Sequence, residues 1–579
     1  MAALLPARII CFACWAALCA HAAVPMLHLK DVRAGMRGVG RTVFSGMKIE
    51  QFDVEILGVL ENVGPKQSII LGRLSGGPLD KTGVMQGMSG SPVYIDGKLV
   101  GAVAMAFQFA KEPIAGIRPI EEMLASDPLP RSEVRARLSD SSLTDNLPKV
   151  EPSADRPVEI ATPLALTGFT RGTVEQFAPA LRSIGLEPRQ GISGGRTARP
   201  LPPVPPEPGS MISVQLANGD MSVGADGTVT HVDGNRVYAF GHRFLAVGDT
   251  ELPFSNASVL TLLANLSTSF KISAAGTTLG TMTGDYNAAV TGELGRKARM
   301  AKVRIAVNGA ERNSEYRMEM VQDRILSPLL LQMMLYSAMD GTERTLGSAS
   351  VRLRGSIRFD GSAEPVKIDN MYSGDFNVPL VASLGTALPM AYALQNTIDP
   401  LRVASIDLTI DAVAVKKQAT IEQVWTSQRE VRPGESLEIN VLLESEGGRE
   451  IVRHLRYGVP VGASTGPLNV SVADGPSTNA GDGKVYTLAQ PRPAEQVIAM
   501  LNSLRGSTRG YVRIWRADPS YTLAGQDLPD PPPSIGLILA RVPGTAVNAG
   551  RGSTVAELSF DAGDAVISGA KTIQVEVKE

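Results

Sequence analysis

The sequence has very little cysteine, and all of it lies at one end. Cys11, Cys14 and Cys19 fall within the first 19 of 579 residues. A mature protein without this segment would have no disulfide and no thiol nucleophile. Only five histidines are present, and no ligand cluster at zinc spacing occurs. The sequence therefore predicts no metal site and no cofactor, although calcium binding at its Asp-Gly turns stays open.

The chain also lacks an excess of charge of either sign. The chain carries 56 basic and 58 acidic residues, a formal net charge of −2, and no long run of like charge. This balance predicts no nucleic-acid partner. A hydrophobic content of 44% with 58 glycines and 39 prolines is typical of a mainly β protein with many turns. The length predicts three or four domains, but nothing indicates an oligomeric state.

The N-terminal apolar run is too short for a membrane span. It extends from Ile9 to Cys19, whereas a spanning helix needs about 20 residues. Arg8 precedes the run, and Ala20-His21-Ala22 follows it with the small-x-small pattern of a secretory cleavage site. We expect cleavage near Ala22 or Ala23, export to the periplasm or the cell exterior, and no stable membrane span afterwards.

What the sequence does contain is a serine in a glycine-rich turn, Gly87-Met88-Ser89-Gly90-Ser91-Pro92. Glycine on both sides permits positive φ and close approach of a substrate carbonyl. The N–H groups of Gly87 and Ser89 can then point to the same side and form an oxyanion hole. Pro92 restricts Ser91 to an extended conformation. Ser89 is therefore the candidate nucleophile.

A hairpin follows this turn. Val93 to Ile95 and Lys98 to Ala104 predict two strands, joined by a type I′ turn at Asp96-Gly97. The next strand, Ile114-Ala115-Gly116-Ile117, could lie beside an extended peptide as an added strand. This order resembles the second barrel of trypsin-like and HtrA-like serine proteases. The sequence motif QGMSGSP most closely resembles the motif around the serine of the SpoIVB peptidase family.

The resemblance implies a trypsin-like double β-barrel. It also implies an exported serine endopeptidase that cleaves extended peptide segments, with cleavage of itself left open. A second block, residues 211–295, resembles the histidine-bearing half of that domain. In the SpoIVB family the histidine half comes first, whereas here it follows the serine half. The resemblance therefore implies two halves in permuted order. The alternative is a non-catalytic envelope or surface protein that retains a degenerate barrel for binding.

A serine nucleophile needs a base to take its proton. The strand Arg236 to Phe240 leads into Gly241-His242, and His242 is the predicted base, at an exposed strand end. Three other histidines follow the predicted signal segment, and we expect His231 at the surface, His454 in a structural role and His28 near the mature N-terminus.

The third catalytic member is less well defined. Asp285 falls in the same block as His242 and is the first candidate to orient the imidazole. Asp249 and Asp80 compete with it. The SpoIVB family's acid lies upstream of its serine, where this chain has Ser75-Gly76-Gly77 and no carboxylate. A Ser–His dyad therefore stays open.

The domain organisation follows from these blocks and from composition. Residues 126–160 are rich in Pro, Ser, Asp and Arg without periodicity, which predicts a linker. Apolar runs predict helices at Ile325 to Met339 and Leu380 to Gln395. The predicted units are a signal peptide (1–23), the serine half (24–125), a linker with a small α/β insert (126–210), the histidine half (211–295), an α+β domain (296–415) and an immunoglobulin-like β-sandwich region (416–579).

Overall fold

The structure is a computed structural model that consists mainly of β-strands. It describes residues 24–579 except 65–66, 108, 126–157, 161, 192–200, 267, 310–312, 342–345, 397–398, 487–492, 524–525, 530, 540 and 542–546. The predicted signal peptide, its cysteines and most of the predicted linker lie outside the described residues. Among the described helices, none is both long and apolar enough to cross a membrane.

The first part of the chain forms a closed six-stranded barrel, which we call the serine barrel. Its strands are β1 (Arg37–Ser45), β2 (Lys48–Gly64), β3 (Gln67–Ser75), β4 (Pro92–Ile95), β5 (Lys98–Ala106) and β6 (Ile114–Pro119), with short helices α1 (Leu79–Thr82) and α2 (Ile120–Leu124). The strands pair in the order β4-β1-β2-β3-β6-β5, and pairing between β4 and β5 closes the barrel. Asp96 and Gly97 both have positive φ, at 48° and 74°, so the predicted type I′ hairpin is confirmed.

A small α/β unit follows. Its elements are β7 (Val158–Glu159), β8 (Thr162–Thr167), α3 (Arg171–Ser183) and β9 (Leu186–Gln190). β7 pairs with β5 of the serine barrel, while β8 and β9 pair in parallel. The helix α3 begins after Thr170, whose side chain accepts a hydrogen bond from the Thr173 N–H and so caps the first turn.

A second closed barrel, which we call the histidine barrel, is formed by residues 211–294. Its strands are β10 (Met211–Gly219), β11 (Ser222–Asp233), β12 (Arg236–Ala239), β13 (Gly248–Leu263), β14 (Phe270–Tyr286) and β15 (Ala289–Leu294). They pair in the order β10-β13-β14-β15-β12-β11, and β10–β11 pairing closes the ring. Two closed six-stranded barrels in one chain confirm the mainly β, multi-barrel fold class.

The two barrels are in direct contact. Single backbone bridges join Gly46 to Val259 and Gln86 to Phe270. Lys271 crosses the same boundary, because its ammonium donates to the Thr42 hydroxyl at 2.8 Å. The turn that carries Ser89 begins one residue after Gln86, so it lies at this interface.

The histidine barrel continues into a larger sheet. The following elements are β16 (Met300–Asn308), β17 (Asn313–Val321), α4 (Leu326–Asp340), β18 (Leu346–Phe359), β19 (Val366–Phe376), α5 (Val378–Leu394) and β20 (Val403–Val413). β17 pairs with β10, so all these strands and β8–β9 belong to one 13-stranded sheet with a shared core. The domain boundary placed at 295 therefore runs through a continuous sheet.

The C-terminal region contains two sheets that share a second core. Its elements are β21 (Gln418–Thr426), β22 (Glu430–Val431), β23 (Ser436–Ser445), β24 (Arg449–Gly458), β25 (Gly466–Asp474), α6 (Gly475–Tyr486), α7 (Ala494–Asn502), β26 (Arg509–Leu523), β27 (Gln526–Pro529), α8 (Pro533–Leu539), β28 (Val547–Asp561), β29 (Val566–Ser568) and β30 (Ala570–Val577). The first sheet has the order β24-β23-β21-β29; the second is β22-β30-β25-β26-β27, with β28 also on β26. An immunoglobulin-like topology for this region stays a prediction.

Candidate active site

The glycine-rich turn has the backbone conformation that its sequence predicts. Gly87 and Gly90 have φ of 90° and 92°, values that L side chains rarely adopt. Within the turn, the Ser91 N–H donates to the Met88 carbonyl at 2.9 Å. Among the described residues, no acceptor bonds the N–H of Gly87 or Ser89. Both donors of the predicted oxyanion hole are therefore available.

The histidine barrel holds this turn through Thr228 of β11. The Thr228 hydroxyl donates to the Gly87 carbonyl at 2.9 Å, and its N–H donates to the Ser89 carbonyl at 2.8 Å. The carbonyl of Thr228 in turn accepts from the Phe240 N–H at 3.2 Å. A continuous chain of backbone bonds therefore leads from Ser89 to the end of β12, two residues before His242.

Gly90 and Gly241 allow the close approach of the two segments. A Cβ on Gly90 would lie 2.0 Å from the Thr228 carbonyl oxygen and 2.6 Å from the Phe240 nitrogen. A Cβ on Gly241 would lie 3.4 Å from the Val103 carbonyl oxygen, the same atom that accepts from the Gly90 N–H. The Ser89-Gly90 and Gly241-His242 pairs are thus neighbours across the interface between the barrels.

His242 lies in the loop between β12 and β13 and is buried, not exposed. Its exposed fraction is 2% and that of Ser89 is 0%, so the expectation of an exposed histidine is wrong. The Nδ1 atom is 2.6 Å from the carbonyl oxygen of Arg243. Neither His242 Nε2 nor Ser89 Oγ has a hydrogen-bond partner, so these two atoms do not bond each other in this structure.

Burial determines the protonation state of His242. It lowers the pKa of the imidazole below the ordinary value of 6.5. The carboxylate of Glu159 and the carbonyl of Arg243 act in the opposite direction, whereas the nearby cations Arg118 and Arg243 add to the lowering. The neutral imidazole, the form that can accept a proton, is therefore favoured at neutral pH.

Asp285 does not contact the imidazole. Its carboxylate accepts hydrogen bonds from the backbone N–H groups of Phe244 at 2.7 Å, Leu245 at 2.6 Å and Val247 at 3.4 Å. Burial raises the pKa of this carboxyl, although the backbone hydrogen bonds oppose the shift. Asp285 therefore anchors the loop that follows His242, and the predicted role of orienting the ring directly is not what the geometry provides.

Two residues near His242 were missed by the sequence reasoning. Glu159 pairs with Arg243 at 3.3 Å and is the carboxylate that acts electrostatically on the imidazole. Arg118, only 1% exposed, donates to the carbonyl of Gly241 at 3.4 Å. Glu159 stands at the end of the predicted linker, and Arg118 directly follows the predicted substrate strand, so neither had a local signal of function.

The predicted substrate strand has no free edge. Ile114, Ala115, Gly116 and Ile117 lie in β6, which pairs with β3 on one side and with β5 on the other. The backbone groups that an added strand would need are therefore already bonded. The assignment of a substrate strand to these four residues is wrong for this sheet.

The remaining candidates lie elsewhere. Asp80 is in α1, and Asp249 accepts a hydrogen bond from the Tyr286 hydroxyl at 2.9 Å. His231 is buried against Tyr238, with ring centroids 6.0 Å apart, so its predicted surface position is wrong. His454 contacts the amide oxygen of Asn440 at 2.6 Å. No group of three or more His, Cys, Asp or Glu residues suited to a metal ion occurs among the described residues.

Comparison with known proteins identifies one family. The family model described as SpoIVB peptidase S55 matches residues 16–124. No curated protein matches the chain, and no solved structure does. The matched segment contains all six strands of the serine barrel and the turn with Ser89. Over that segment, the chain is similar to the SpoIVB-type serine peptidases of family S55.

Proposed function

We propose that this protein is an exported serine endopeptidase that cleaves extended peptide segments with Ser89 as nucleophile and His242 as general base. The observation that carries the proposal is a pair of buried polar atoms without partners, Ser89 Oγ and His242 Nε2, on neighbouring segments of the barrel interface. Most buried polar atoms in native proteins are hydrogen-bonded, and a catalytic role is one of the explanations for an exception.

The hydrogen bond of His242 supports the role of a base. A carbonyl oxygen can only accept, so Nδ1 must carry the proton in its contact with the Arg243 carbonyl. In the neutral ring, Nε2 then has a free lone pair, as a general base requires. A backbone carbonyl thus sets the tautomer, the part that a carboxylate plays in a Ser-His-Asp triad. This favours a dyad over a triad with Asp285.

The reaction follows from these groups. Transfer of the hydroxyl proton to His242 Nε2 activates Ser89 Oγ for attack on a substrate carbonyl. The unpaired N–H groups of Gly87 and Ser89 stabilise the oxyanion that forms. Protonated His242 then gives its proton to the leaving amine, and a water molecule repeats the sequence to release the acyl group.

Backbone strain beside His242 supports a functional site. Phe240 is completely buried and has φ of 69°, a conformation that a bulky side chain adopts only when its surroundings impose it. The following Gly241 has the same φ. Together these two residues turn the chain sharply at the end of β12, which brings His242 back to the interface with the serine barrel.

The second candidate function is a non-catalytic binding protein that retains the barrels. The complete burial of Ser89 and the absence of a bond to His242 favour it. A fluorophosphonate probe separates the two candidates, because it labels only a serine that a base activates. We expect labelling of the wild-type protein and none of Ser89→Ala or His242→Ala, with near-ultraviolet circular dichroism to verify folding. A folded wild-type protein that stays unlabelled would favour the binding protein.

A further inference from the structure

A cavity of about 700 Å³ lies beside the histidine barrel, in the size range of ligand sites. Its floor is formed by the faces of β8 and β11, where alternate residues line it, such as Ser222, Gly224 and Asp226, and by part of β10. Its walls are β9 and β14, where consecutive residues line it, 187–191 and 270–273. Side chains of a strand alternate between its two faces. Because consecutive residues of β9 and β14 contact the cavity, these two strands turn an edge toward it and not a face.

Both edges are unpaired among the described residues. β9 is the last strand of its sheet and pairs only with β8. β14 pairs with β13 along nearly its whole length, whereas its other side meets Gln86 at Phe270 and β15 only from Gly280 onward. Between Ile272 and Thr278 that side has no strand partner among the residues that the structure describes, although the Thr277 hydroxyl donates to the Leu201 carbonyl at 2.6 Å. β9 contains Pro188, which lacks an N–H, so β14 is the better edge for an added strand.

The cavity also contains two cations, Arg189 and Lys271, that form no ion pair with a described carboxylate, although Glu187 and Asp226 act on them electrostatically. Arg189 stacks on the ring of Phe270 at 4.0 Å and donates to the side-chain oxygen of Gln86 at 3.3 Å, and its Nε atom is buried without a partner. Lys271 is buried, and within the described part of the chain its ammonium donates to the Thr42 hydroxyl. Burial lowers the pKa of Lys271 to about 7, and the carboxylate of Asp226 opposes this shift.

The carboxylates in the cavity wall are already engaged. Glu187 forms an ion pair with Arg182 at 3.0 Å, and the buried Asp226 accepts a hydrogen bond from the Ser273 hydroxyl. Cations removed from water without an ion-pair partner are costly, and a ligand carboxylate would offset that cost. An anionic group from outside the chain would supply the close ion pair that both cations lack, above all at the unpartnered Nε of Arg189.

We propose that this cavity binds an extended peptide that adds as a strand to the free edge of β14 and places a carboxylate against Arg189 and Lys271. The site contains neither Ser89 nor His242, so it can exist whether or not the protein is a peptidase, but it adjoins their turn, because a Cβ on Gly87 would lie 3.1 Å from Lys271 Cδ. It is linked to them through Gln86, three residues before Ser89. The carbonyl of Gln86 accepts from the Lys271 N–H at 3.2 Å, and its side chain accepts from Arg189.

The test uses the full chain with Ser89→Ala, which removes any turnover of the probe. The probes are two octapeptide libraries, randomised among Ala, Val, Ser and Thr at seven positions. One ends in glutamate with a free carboxyl group, and the other ends in glutamine amide. Ultrafiltration with mass spectrometry measures retention. We expect the acidic library to be retained at least about tenfold better, because charge-assisted hydrogen bonds are the strong ones. Equal retention, or none, would overturn the proposal.

Variants assign the retained peptides to the cavity. Arg189→Gln and Lys271→Met, each in the Ser89→Ala background, should each lower retention by about tenfold. Arg171→Gln is the matched control: this arginine is on α3, is 85% exposed and pairs with Glu175, so its loss should not change retention. If folded Arg189→Gln and Lys271→Met proteins both retain the acidic library as the parent does, the cavity is not the site.

Hydrogen exchange distinguishes an added strand from a simple carboxylate site. A peptide on the edge of β14 should slow exchange of backbone amides within 272–278. Decanoate serves as the comparison, since it offers a carboxylate and an apolar body but no backbone. Competition by decanoate for the retained peptides, with no slowing in 272–278 by either ligand, would replace the peptide with a small acid and refute strand addition. Loss of fluorophosphonate labelling in the wild type would leave this result unaffected.

Discussion

The two barrels have the same number of strands but differ in how much of the chain each needs. The serine barrel closes within residues 37–119 around a core that draws mainly on its own strands. The histidine barrel shares its sheet and core with β8–β9 and with β16–β20, and this core extends from Leu164 to Leu501. The first barrel is a nearly self-contained unit, whereas the second is one part of a larger body.

This difference explains where the family resemblance is found. The matched segment, residues 16–124, ends where the self-contained barrel ends. A closed barrel made of neighbouring strands constrains its sequence locally, since each turn and each register must fit within a short stretch. The histidine barrel depends on partners far away in the chain. We therefore expect mutations at the barrel interface to act on the histidine side more than on the serine side.

The largest effect is expected at Gly90, where the barrels approach most closely. The Gly90→Ala substitution would place Cβ 2.0 Å from the Thr228 carbonyl oxygen, at a backbone φ of 92°. We expect a loss of more than about 4 kcal/mol in the free energy of unfolding, measured by urea denaturation. Gly97→Ala is the control, with positive φ but open space around it, and should cost about 1 kcal/mol. If Gly90→Ala and Gly97→Ala lowered the free energy of unfolding equally, the backbone around Gly90 would have room for a methyl group, and the expectation would be wrong.

The second-largest loss of stability is expected at Arg118, which connects the serine barrel to the loop of His242 by hydrogen bonds. Arg118→Met removes a buried cation that bonds the Gly241 carbonyl and the Glu122 carboxylate. We expect a cost of about 3–5 kcal/mol, because the buried carbonyl of Gly241 and the partly buried carboxylate of Glu122 lose their donor. Hydrogen exchange should rise in the His242 loop before it rises in β1–β3. Arg73→Met, which breaks two exposed ion pairs in the same barrel, should have a much smaller effect, because solvent screens exposed ion pairs.

The sequence predicted what is local and failed where the fold brings distant segments together. The Asp96-Gly97 hairpin and the glycine conformations at Ser89 follow from a few adjacent residues and are confirmed. The burial of His242 depends on the serine barrel packing over its loop, and the role of Glu159 depends on β7 pairing with β5. The substrate strand was misassigned because edge and centre positions in a sheet are not encoded in a strand's own sequence.

The pH dependence of probe labelling tests the electrostatics of the interface. Burial lowers the pKa of His242 below 6.5, and only the neutral ring can activate Ser89. The labelling rate should therefore change less than about twofold from pH 6.5 to 8, and fall about tenfold per pH unit well below the shifted pKa. A half-maximal rate at or above pH 6.5 would show that the opposing effect of Glu159 outweighs burial. In that case Glu159→Gln should move the midpoint to lower pH.

The smallest effect is expected at Ser91, the second hydroxyl of the turn. Ser91 Oγ is buried and, like Ser89 Oγ, has no hydrogen-bond partner. Removing an unbonded hydroxyl sacrifices no hydrogen bond and relieves a desolvation cost, so Ser91→Ala should change the free energy of unfolding by less than about 1 kcal/mol. The Ser91 N–H bond to Met88 involves only the backbone and survives the substitution. Labelling should therefore stay within about threefold of wild type, whereas Ser89→Ala abolishes it. If Ser91→Ala also abolishes labelling while the protein stays folded, the two hydroxyls act together, and the choice of Ser89 alone as the reacting group is wrong.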